Sequence, residues 1–377
     1  MHAAKYRLVR RSTQCGGLSR APRAYRGRLR EQLARRYPQR GCGTRCGTRR
    51  AVRTGVSGPD YVPRCSVVIP TYNRAYSVGD AIASVLRQTM AELECIVVDD
   101  GSTDATPALL ASITDPRLRV ILGRHAGVAA ARNLGVAHAR APLIAFLDSD
   151  DLWRPDKLAH EVTYLDRHRQ VDAVFSDLEK QDGGRVYPSF MRETAVFSRV
   201  LGEREYPDGV ALSRREIFLV LLEEVPIKPS ALTLRRDAFD KAGRFDETWS
   251  SSEDWEFLLR FARAHRFGYI DLPLALLRVG EDSLHRTDQE GGDSAMIRLL
   301  LRERQLLRGD REARAAVHRG LVTRAKHFAW HHIDGGRRRA AARVFFRGFL
   351  ITGSPGLFFR GLAALLGVSP QIKRSRA

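Results

Sequence analysis

Residues 65–74 read CSVVIPTYNR, an unbroken apolar run that ends in a cluster of polar residues. A short run of this kind, closed by Pro70, predicts a strand that is buried on both faces of a sheet. Two further runs have the same layout, with carboxylates directly after the apolar residues: LECIVV at 93–98 and LIAFL at 143–147. The repetition predicts three strands of one sheet, with polar residues gathered beyond the strand ends.

Helical patterns of about a dozen residues separate these runs. Their apolar residues recur at helical spacing, and the predicted helices cover 77–88, 103–113, 127–139 and 155–168. Strands are also predicted at 118–122 and from residue 173 onward. Strands that alternate with helices imply right-handed crossovers and a mostly parallel sheet flanked by helices. The predicted fold class is therefore α/β, with a helical extension at the C-terminal end.

Charge divides the chain into three parts. The net charge is +20, but residues 1–64 carry +15 and residues 298–377 carry +14, so the centre between them carries −9. The first 64 residues are rich in Arg and Gly without apolar periodicity, which predicts a disordered basic leader. We expect a folded domain over 65–290 and a basic helical tail over 291–377. Because the folded centre is acidic, we do not expect a nucleic-acid partner for it.

Signals for membrane insertion and secretion are missing from the sequence. No stretch of about 18 uncharged apolar residues occurs, which argues against a spanning helix. No apolar segment near the N-terminus resembles a signal peptide. We therefore expect a cytoplasmic protein. The stretch 337–366, with its arginines and phenylalanines, fits either peripheral contact with the inner membrane face or two amphipathic helices packed on protein.

The predicted strand ends carry the chemistry. Ligands of open α/β sheets bind beyond the carboxyl ends of the strands, where the strand order reverses. Polar segments stand at three such ends: 70–73, 99–104 and 148–151. Turns and helix caps would explain each segment alone, but together they favour a binding site. Gathered carboxylates need a compensating cation, and oxygen ligands of this kind suit Mg²⁺ or Mn²⁺.

Several motifs in a fixed order resemble a known family. They are VVIPTYNR (67–74), VVDDGSTD (97–104), GVAAARNLG (127–135), FLDSDDLWRPDKL (146–158), GRFDE (243–247) and SEDWEFLLR (252–260). Together they resemble glycosyltransferase family 2 over roughly residues 65–280. The resemblance implies a GT-A fold, a nucleotide-diphosphate sugar as donor, a divalent metal ion and inversion at the anomeric carbon.

By position in these motifs, the resemblance assigns four residues to the donor. Asp100 resembles the aspartate that hydrogen-bonds the nucleotide base. Thr71 and Tyr72 lie in the loop that lines the base and the ribose. Arg132, in the A-R-N segment, is expected near the diphosphate.

Three further carboxylates are assigned in the same way. Asp148 and Asp150 occupy the D-x-D positions: Asp150 is the expected ligand of Mn²⁺ or Mg²⁺, and Asp148 is a ribose contact that also approaches the metal. Asp254 resembles the catalytic base, while we expect Glu253 to be a helper or a capping residue. A metal stabilises a departing diphosphate, and a carboxylate can accept the proton of an acceptor hydroxyl.

One position departs from the family pattern. Family members often have a histidine after the L-x-x-Y-R strand, whereas here the segment 276–280 reads LLRVG. The nearest histidine is His285, which we interpret as an exposed loop residue rather than a metal ligand.

These patterns predict an inverting, metal-assisted glycosyltransferase whose acceptor is a hydroxyl of a glycan, a lipid-linked sugar or a metabolite. A sugar nucleotidyltransferase of similar fold is one alternative, but residues 70–74 are not its Gly-rich basic loop. The sequence also lacks the P-loop motif and a G-x-G-x-x-G after the first strand. A third alternative is a non-catalytic protein that tethers polyanions or membranes through its basic ends.

Overall fold

The structure, a computed structural model, describes residues 62–280 and 289–367 of the chain. Its first part alternates strands and helices as predicted, because each buried apolar run forms a strand and each periodic segment forms a helix. These elements are β1 Cys65–Thr71, α1 Val78–Leu86, β2 Leu93–Asp99, α2 Thr106–Ser112, β3 Leu118–Leu122, α3 Val128–Ala137 and β4 Leu143–Phe146.

The next part contains shorter and less regular elements. They are β5 Leu152–Trp153, α4 Lys157–Arg167, β6 Ala173–Asp182, β7 Arg185–Tyr187, α5 Phe190–Glu193, α6 Phe197–Leu201, β8 Val210–Ala211, α7 Arg214–Leu221, a 3₁₀ turn Pro229–Ala231, β9 Leu232–Arg235, α8 Arg236–Ala242, α9 Glu253–Ala262 and β10 Phe267–Val279. Four helices follow: α10 Gln289–Leu306, α11 Arg311–Asp334, α12 Arg338–Thr352 and α13 Pro355–Leu365.

In the described residues the strands form one sheet, ordered β3-β2-β1-β4-β9-β6-β10-β5, with β7 beside β6 and β8 beside β10. The β3-β2-β1-β4 half is parallel, as the sequence predicts. The other half is mixed, because β9 lies antiparallel between β4 and β6. The strand order reverses at β1, since β2 lies on one side of it and β4 on the other. The carboxyl ends of β1 and β4 are therefore the expected place for a ligand.

Close packing fixes helix α3 against this edge. Every residue of β1 is buried, and Gly135 of α3 lies directly on Val68 of that strand. A Cβ at position 135 would come within 2.3 Å of a Val68 methyl carbon. Only glycine allows this approach, which sets the distance between α3 and the sheet.

The C-terminal helices divide between two apolar clusters. Helix α10 and the first half of α11 share the core of the sheet, through residues such as Leu299, Leu300 and Val317. The second half of α11 packs with α12 and α13 in a separate cluster around Phe345 and Leu357. None of the helices in the described ranges is long and apolar enough to cross a membrane.

Candidate active site

The end of β1 forms one wall of the candidate site. Thr71 is buried, and its hydroxyl has no hydrogen-bond partner among the described residues. Tyr72 is 39% exposed, and its ring lies 4.2 Å from the ring of His125, centroid to centroid. A buried hydroxyl beside two exposed rings offers a polar contact and an aromatic surface to a ligand.

Asp100 joins this wall to the loop before α3. Its backbone N–H donates to the Thr71 carbonyl at 2.8 Å. Its two carboxylate oxygens accept the backbone N–H groups of Ala126, at 3.0 Å, and Gly127, at 2.8 Å. The carboxylate therefore holds the loop that carries His125. A carboxylate has about four lone-pair sites, so Asp100 retains capacity to accept a bond from a ligand.

Asn73 fixes the β1 loop to the β2 loop. Its backbone N–H donates to the Ser102 hydroxyl at 2.8 Å, and its side-chain oxygen accepts the Thr103 N–H at 2.8 Å. Asn73, His125 and Ser252 have positive φ angles of 51°, 57° and 63°. Each of these strained residues adjoins an assigned site residue, and such strain is often concentrated at functional sites.

Arg132 connects the two halves of the site. One guanidinium nitrogen donates to Asp148 at 2.7 Å and another donates to Glu253 at 2.6 Å. Burial opposes the charge of Arg132, but Asp148 and Glu253 outweigh it and raise the pKa of the guanidinium. Burial, with Asp254 adding to it, raises the pKa of Glu253. The guanidinium of Arg132 therefore joins the segment after β4, through Asp148, to the start of α9, through Glu253.

Asp150 lies on the same edge, close to Asp148. Burial, and then the neighbouring Asp148 carboxylate, raise the pKa of Asp150 to about 6, while Arg74 and Arg278 oppose this shift. Arg278 donates from its Nε to the Asp150 carbonyl at 2.5 Å, and its backbone N–H donates to Asp151 at 3.0 Å. One terminal nitrogen of Arg278 is buried without a partner in the described part of the chain.

Asp254 occupies the first turn of α9. Its carboxylate accepts the N–H of Trp255 at 2.7 Å. Ser252, which precedes the helix, adopts a left-handed conformation and makes no side-chain cap bond. Lys228 is half-buried: burial of its ammonium lowers the pKa of Lys228, and the charges of Asp254 and Asp148 oppose this shift. A carboxylate and a half-buried cation thus influence each other electrostatically at this edge of the sheet.

Asn133 secures the segment that leads into α9. Its amide nitrogen donates to the Phe245 carbonyl at 2.9 Å and to the Glu247 carboxylate at 2.7 Å. Its oxygen accepts the Phe245 N–H at 3.0 Å. The A-R-N and G-R-F-D-E motifs therefore bind each other directly.

The structure brings the predicted residues to one edge of the sheet. Hydrogen bonds, a ring contact and neighbouring charges link these residues: Thr71 with Asp100, Tyr72 with His125, Arg74 with Asp150, and Arg132 with Asp148 and Asp254. His285 lies outside the described residues. Sequence reasoning missed His125, Lys228 and Arg278. Arg278 alone had a signal, because it belongs to the strand motif in which the family histidine is replaced.

The carboxylates of the site match a metal site only in part. No group of three or more His, Cys, Asp or Glu side chains within the described ranges is arranged to hold a metal ion. Mg²⁺, however, is commonly held by one or two carboxylates, with water and substrate phosphates completing its shell. The pair Asp148 and Asp150 has that chemistry.

Comparison with known sequences identifies relatives. Residues 66–242 match the sequence family described as glycosyl transferase family 2. The succinoglycan biosynthesis protein ExoO of Rhizobium meliloti is 48% identical over 108 residues, which are 28% of this chain and 31% of that protein. WfgD of Escherichia coli, a UDP-Glc:alpha-D-GlcNAc-diphosphoundecaprenol beta-1,3-glucosyltransferase, is 38% identical over 101 residues, which are 26% of this chain and 40% of WfgD. The chain thus spans less than half of these two relatives.

Comparison with solved structures concerns the fold. The crystal structure of S. aureus TarS 1-349 in complex with UDP-GlcNAc is 21% identical to this chain, with a TM-score of 0.53. The match covers 81% of this chain and 82% of TarS 1-349. It confirms the predicted GT-A type of α/β fold. The motifs and the sheet at whose strand ends they lie agree with the match of residues 66–242, just under half of the chain, to glycosyl transferase family 2.

Proposed function

We propose that this chain transfers a sugar, with inversion, from a nucleotide-diphosphate donor to a hydroxyl of a glycan, a lipid-linked sugar or a metabolite. One observation carries the proposal. Arg132 bonds both Asp148 and Glu253, so the carboxylates after β4 and Asp254 at the start of α9 line one cleft. The family match supports a nucleotide-sugar donor and disfavours the nucleotidyltransferase alternative.

The β1 and β2 ends would bind the nucleoside. The Tyr72 and His125 rings offer a stacking surface, and Asp100 and the Thr71 hydroxyl offer hydrogen bonds to the base and ribose. Because TarS binds UDP-GlcNAc and the name of WfgD specifies UDP-Glc, uridine-diphosphate sugars are the first donors to test. The guanidinium groups of Arg132 and Arg278 supply positive charge for the diphosphate.

Asp150, with Asp148, would hold Mn²⁺ or Mg²⁺. Burial beside a second carboxylate disfavours the charged form of Asp150, and a bound cation would relieve that cost. When bound, the metal would neutralise negative charge on the departing diphosphate.

Asp254 is the proposed base. It takes the proton of the acceptor hydroxyl while the hydroxyl oxygen bonds to the anomeric carbon. The bond from that carbon to the diphosphate oxygen breaks, and the nucleotide diphosphate leaves on the opposite face. Attack opposite to the leaving group inverts the configuration. Glu253 positions Arg132 through its hydrogen bond. Lys228 adds positive charge to the cleft.

The test measures nucleotide release from a panel of nucleotide sugars with Mn²⁺. We expect Asp254→Asn to lower turnover by about 10²–10⁴-fold, the usual contribution of a positioned base. Donor binding, measured by calorimetry, should persist in this variant. Asp150→Asn should instead lose the dependence of donor binding on Mn²⁺.

Asp237→Asn is the matched control, because Asp237 is an exposed aspartate on α8 that pairs with Lys241. It makes the same chemical change away from the cleft and should leave turnover unaltered. Normal turnover in Asp254→Asn would refute the base, and Mn²⁺-dependent donor binding in Asp150→Asn would refute the metal ligand.

A further inference from the structure

Helix α13 exposes an apolar face to solvent. Phe359, Leu362, Leu365 and Leu366 are 66%, 39%, 53% and 78% exposed. With 3.6 residues per turn, these four side chains cover an arc of about 120° on the helix. The opposite face, with Leu357, Gly361 and Ala364, is buried against the neighbouring helices. One helix therefore buries one side and leaves a second apolar side uncovered.

Helix α12 exposes a row of arginines. Arg339, Arg343 and Arg347 recur every four residues, so they lie on one face, and Leu350, which is 81% exposed, continues the row. None of the three arginines forms an ion pair with another described residue. Residues 335–377 contain nine Lys and Arg and no Asp or Glu. Within this stretch of sequence no carboxylate neutralises the positive charge of Arg339, Arg343 and Arg347.

The arginine row and the apolar face adjoin. Phe346 and Phe349 of α12 contact Phe358 of α13, with ring centroids 5.7 and 5.3 Å apart. Arg343 and Leu350 are the exposed helical neighbours of Phe346, three residues before and four after it. Leu362 and Leu365 are exposed residues four and seven positions after Phe358, on the same face of α13. The arginine row and the apolar row therefore lie on either side of the contact between these phenylalanine rings. We call the exposed residues of both rows the hairpin face: Arg339, Arg343, Arg347 and Leu350 of α12, and Phe359, Leu362, Leu365 and Leu366 of α13.

We propose that the hairpin face docks on an anionic lipid bilayer, with its apolar side chains in the headgroup boundary and its arginines on lipid phosphates. A basic helix face next to large apolar side chains has the composition of an interfacial membrane contact. A second copy fits less well, because a two-fold contact would bring the arginine rows together without carboxylates. A soluble polyanion would satisfy the arginines and leave the leucines exposed. The proposal is independent of the sugar chemistry proposed above.

The experiment uses the full chain and sedimentation with phosphatidylglycerol-containing vesicles, against pure phosphatidylcholine vesicles. We expect binding to the anionic vesicles only, weakening as salt is raised. Each arginine near such a surface contributes roughly five-fold in affinity. Arg339→Gln/Arg343→Gln/Arg347→Gln should therefore weaken binding by roughly 100-fold. Phe359→Ser/Leu366→Ser should weaken it at every salt concentration, because the lost contact is apolar.

Two matched controls separate the hairpin face from general charge and hydrophobicity. Arg185→Gln/Arg244→Gln/Arg311→Gln removes the same charge from exposed positions elsewhere, and Val186→Ser removes an exposed apolar side chain from β7. Both should bind vesicles nearly as the wild type does. Thermal unfolding checks that every variant is folded, and donor turnover in solution should be unchanged in the hairpin-face variants.

Three results would overturn the proposal. Equal binding by wild type and both hairpin-face variants would assign any vesicle affinity to other basic segments, such as residues 1–64. Equal losses in the charge-matched control would show a general electrostatic effect. Self-association that Phe359→Ser abolishes, without vesicle binding by the wild type, would identify a second copy as the occupant.

Discussion

The charged residues of the motif at 146–158 differ in their exposure to solvent: some lie at the open edge of the sheet and Lys157 lies in the core. Asp148 and Asp150 lie at the carboxyl edge of the sheet, and the Asp148 side chain is 31% exposed while bonded to Arg132. Lys157, in the same motif, is fully buried and pairs at 2.6 Å with Glu161, which is equally buried. The Lys157 ammonium also lies 4.2 Å from the centre of the Trp153 ring. The motif therefore combines chemistry at an open edge with an ion pair that belongs to the core.

The buried pair should give the largest effect on stability. Lys157→Met leaves Glu161 charged, buried and bonded only to Thr233, so we expect a loss of about 3–5 kcal/mol in the free energy of unfolding. Urea unfolding measures the loss. Lys157→Met/Glu161→Leu removes both charges and should recover most of it. If the single variant were as stable as the double, Lys157 would not be neutralising a buried carboxylate.

At the open edge the effect should appear in turnover instead. Arg132→Lys keeps the charge but cannot bond Asp148 and Glu253 with a rigid fork, so Asp254 should move relative to the donor. We expect turnover to fall by about 10²-fold, as for small misplacements of reacting groups. Arg140→Lys, at an exposed arginine that pairs with Glu94, is the control. A loss of stability comparable with that of Lys157→Met would contradict the distinction between the edge and the core.

A carboxyl buried without a paired cation should show the smallest effect, and only as a function of pH. Burial raises the pKa of Asp177 on β6 to about 7, despite hydrogen bonds from the Ser189 hydroxyl and the Met191 N–H. The folded state therefore binds this proton more tightly than the unfolded state. The free energy of unfolding should fall by about 1 kcal/mol per unit as pH rises from 5 to 7.

Asp177→Asn isolates this effect, because a neutral amide resembles the protonated acid. The difference in the free energy of unfolding between the wild type and the variant should fall with pH at this rate. The variant alone should lack this contribution of Asp177 to the pH dependence. A difference that is constant between pH 5 and pH 7 would show that Asp177 is ionised throughout.

The parallel half of the sheet could be predicted because buried parallel strands are unbroken apolar runs, as in β1 and β2. In the mixed half, the start of β6 could be predicted, but the order of the strands could not. Strands β7 and β8 have three and two residues, too few for a periodic pattern, and β9 enters the sheet antiparallel from a 3₁₀ turn. Periodicity identifies a strand, but it does not say between which neighbours the strand is inserted.

Some residues of the candidate site could be predicted from the sequence and others could not. Carboxylates at strand ends, such as Asp148 and Asp150, could be predicted because motif and position agree. Lys228 and His125 could not, since their place beside the cleft depends on tertiary packing. The left-handed backbone of Ser252, which leads into α9 without a side-chain cap bond, is likewise not indicated by any local pattern.

The span of the Arg132 contacts has a consequence for synthesis. Arg132 and Glu253 are 121 positions apart, yet one guanidinium holds both halves of the cleft together. Chains leave the ribosome from the N-terminus and begin to fold in that order. A nascent chain can thus form β1 to β4, with Thr71, Tyr72 and Asp100 at their ends, before residue 253 is translated, and Arg132 meets Glu253 only when the later half of the chain has emerged.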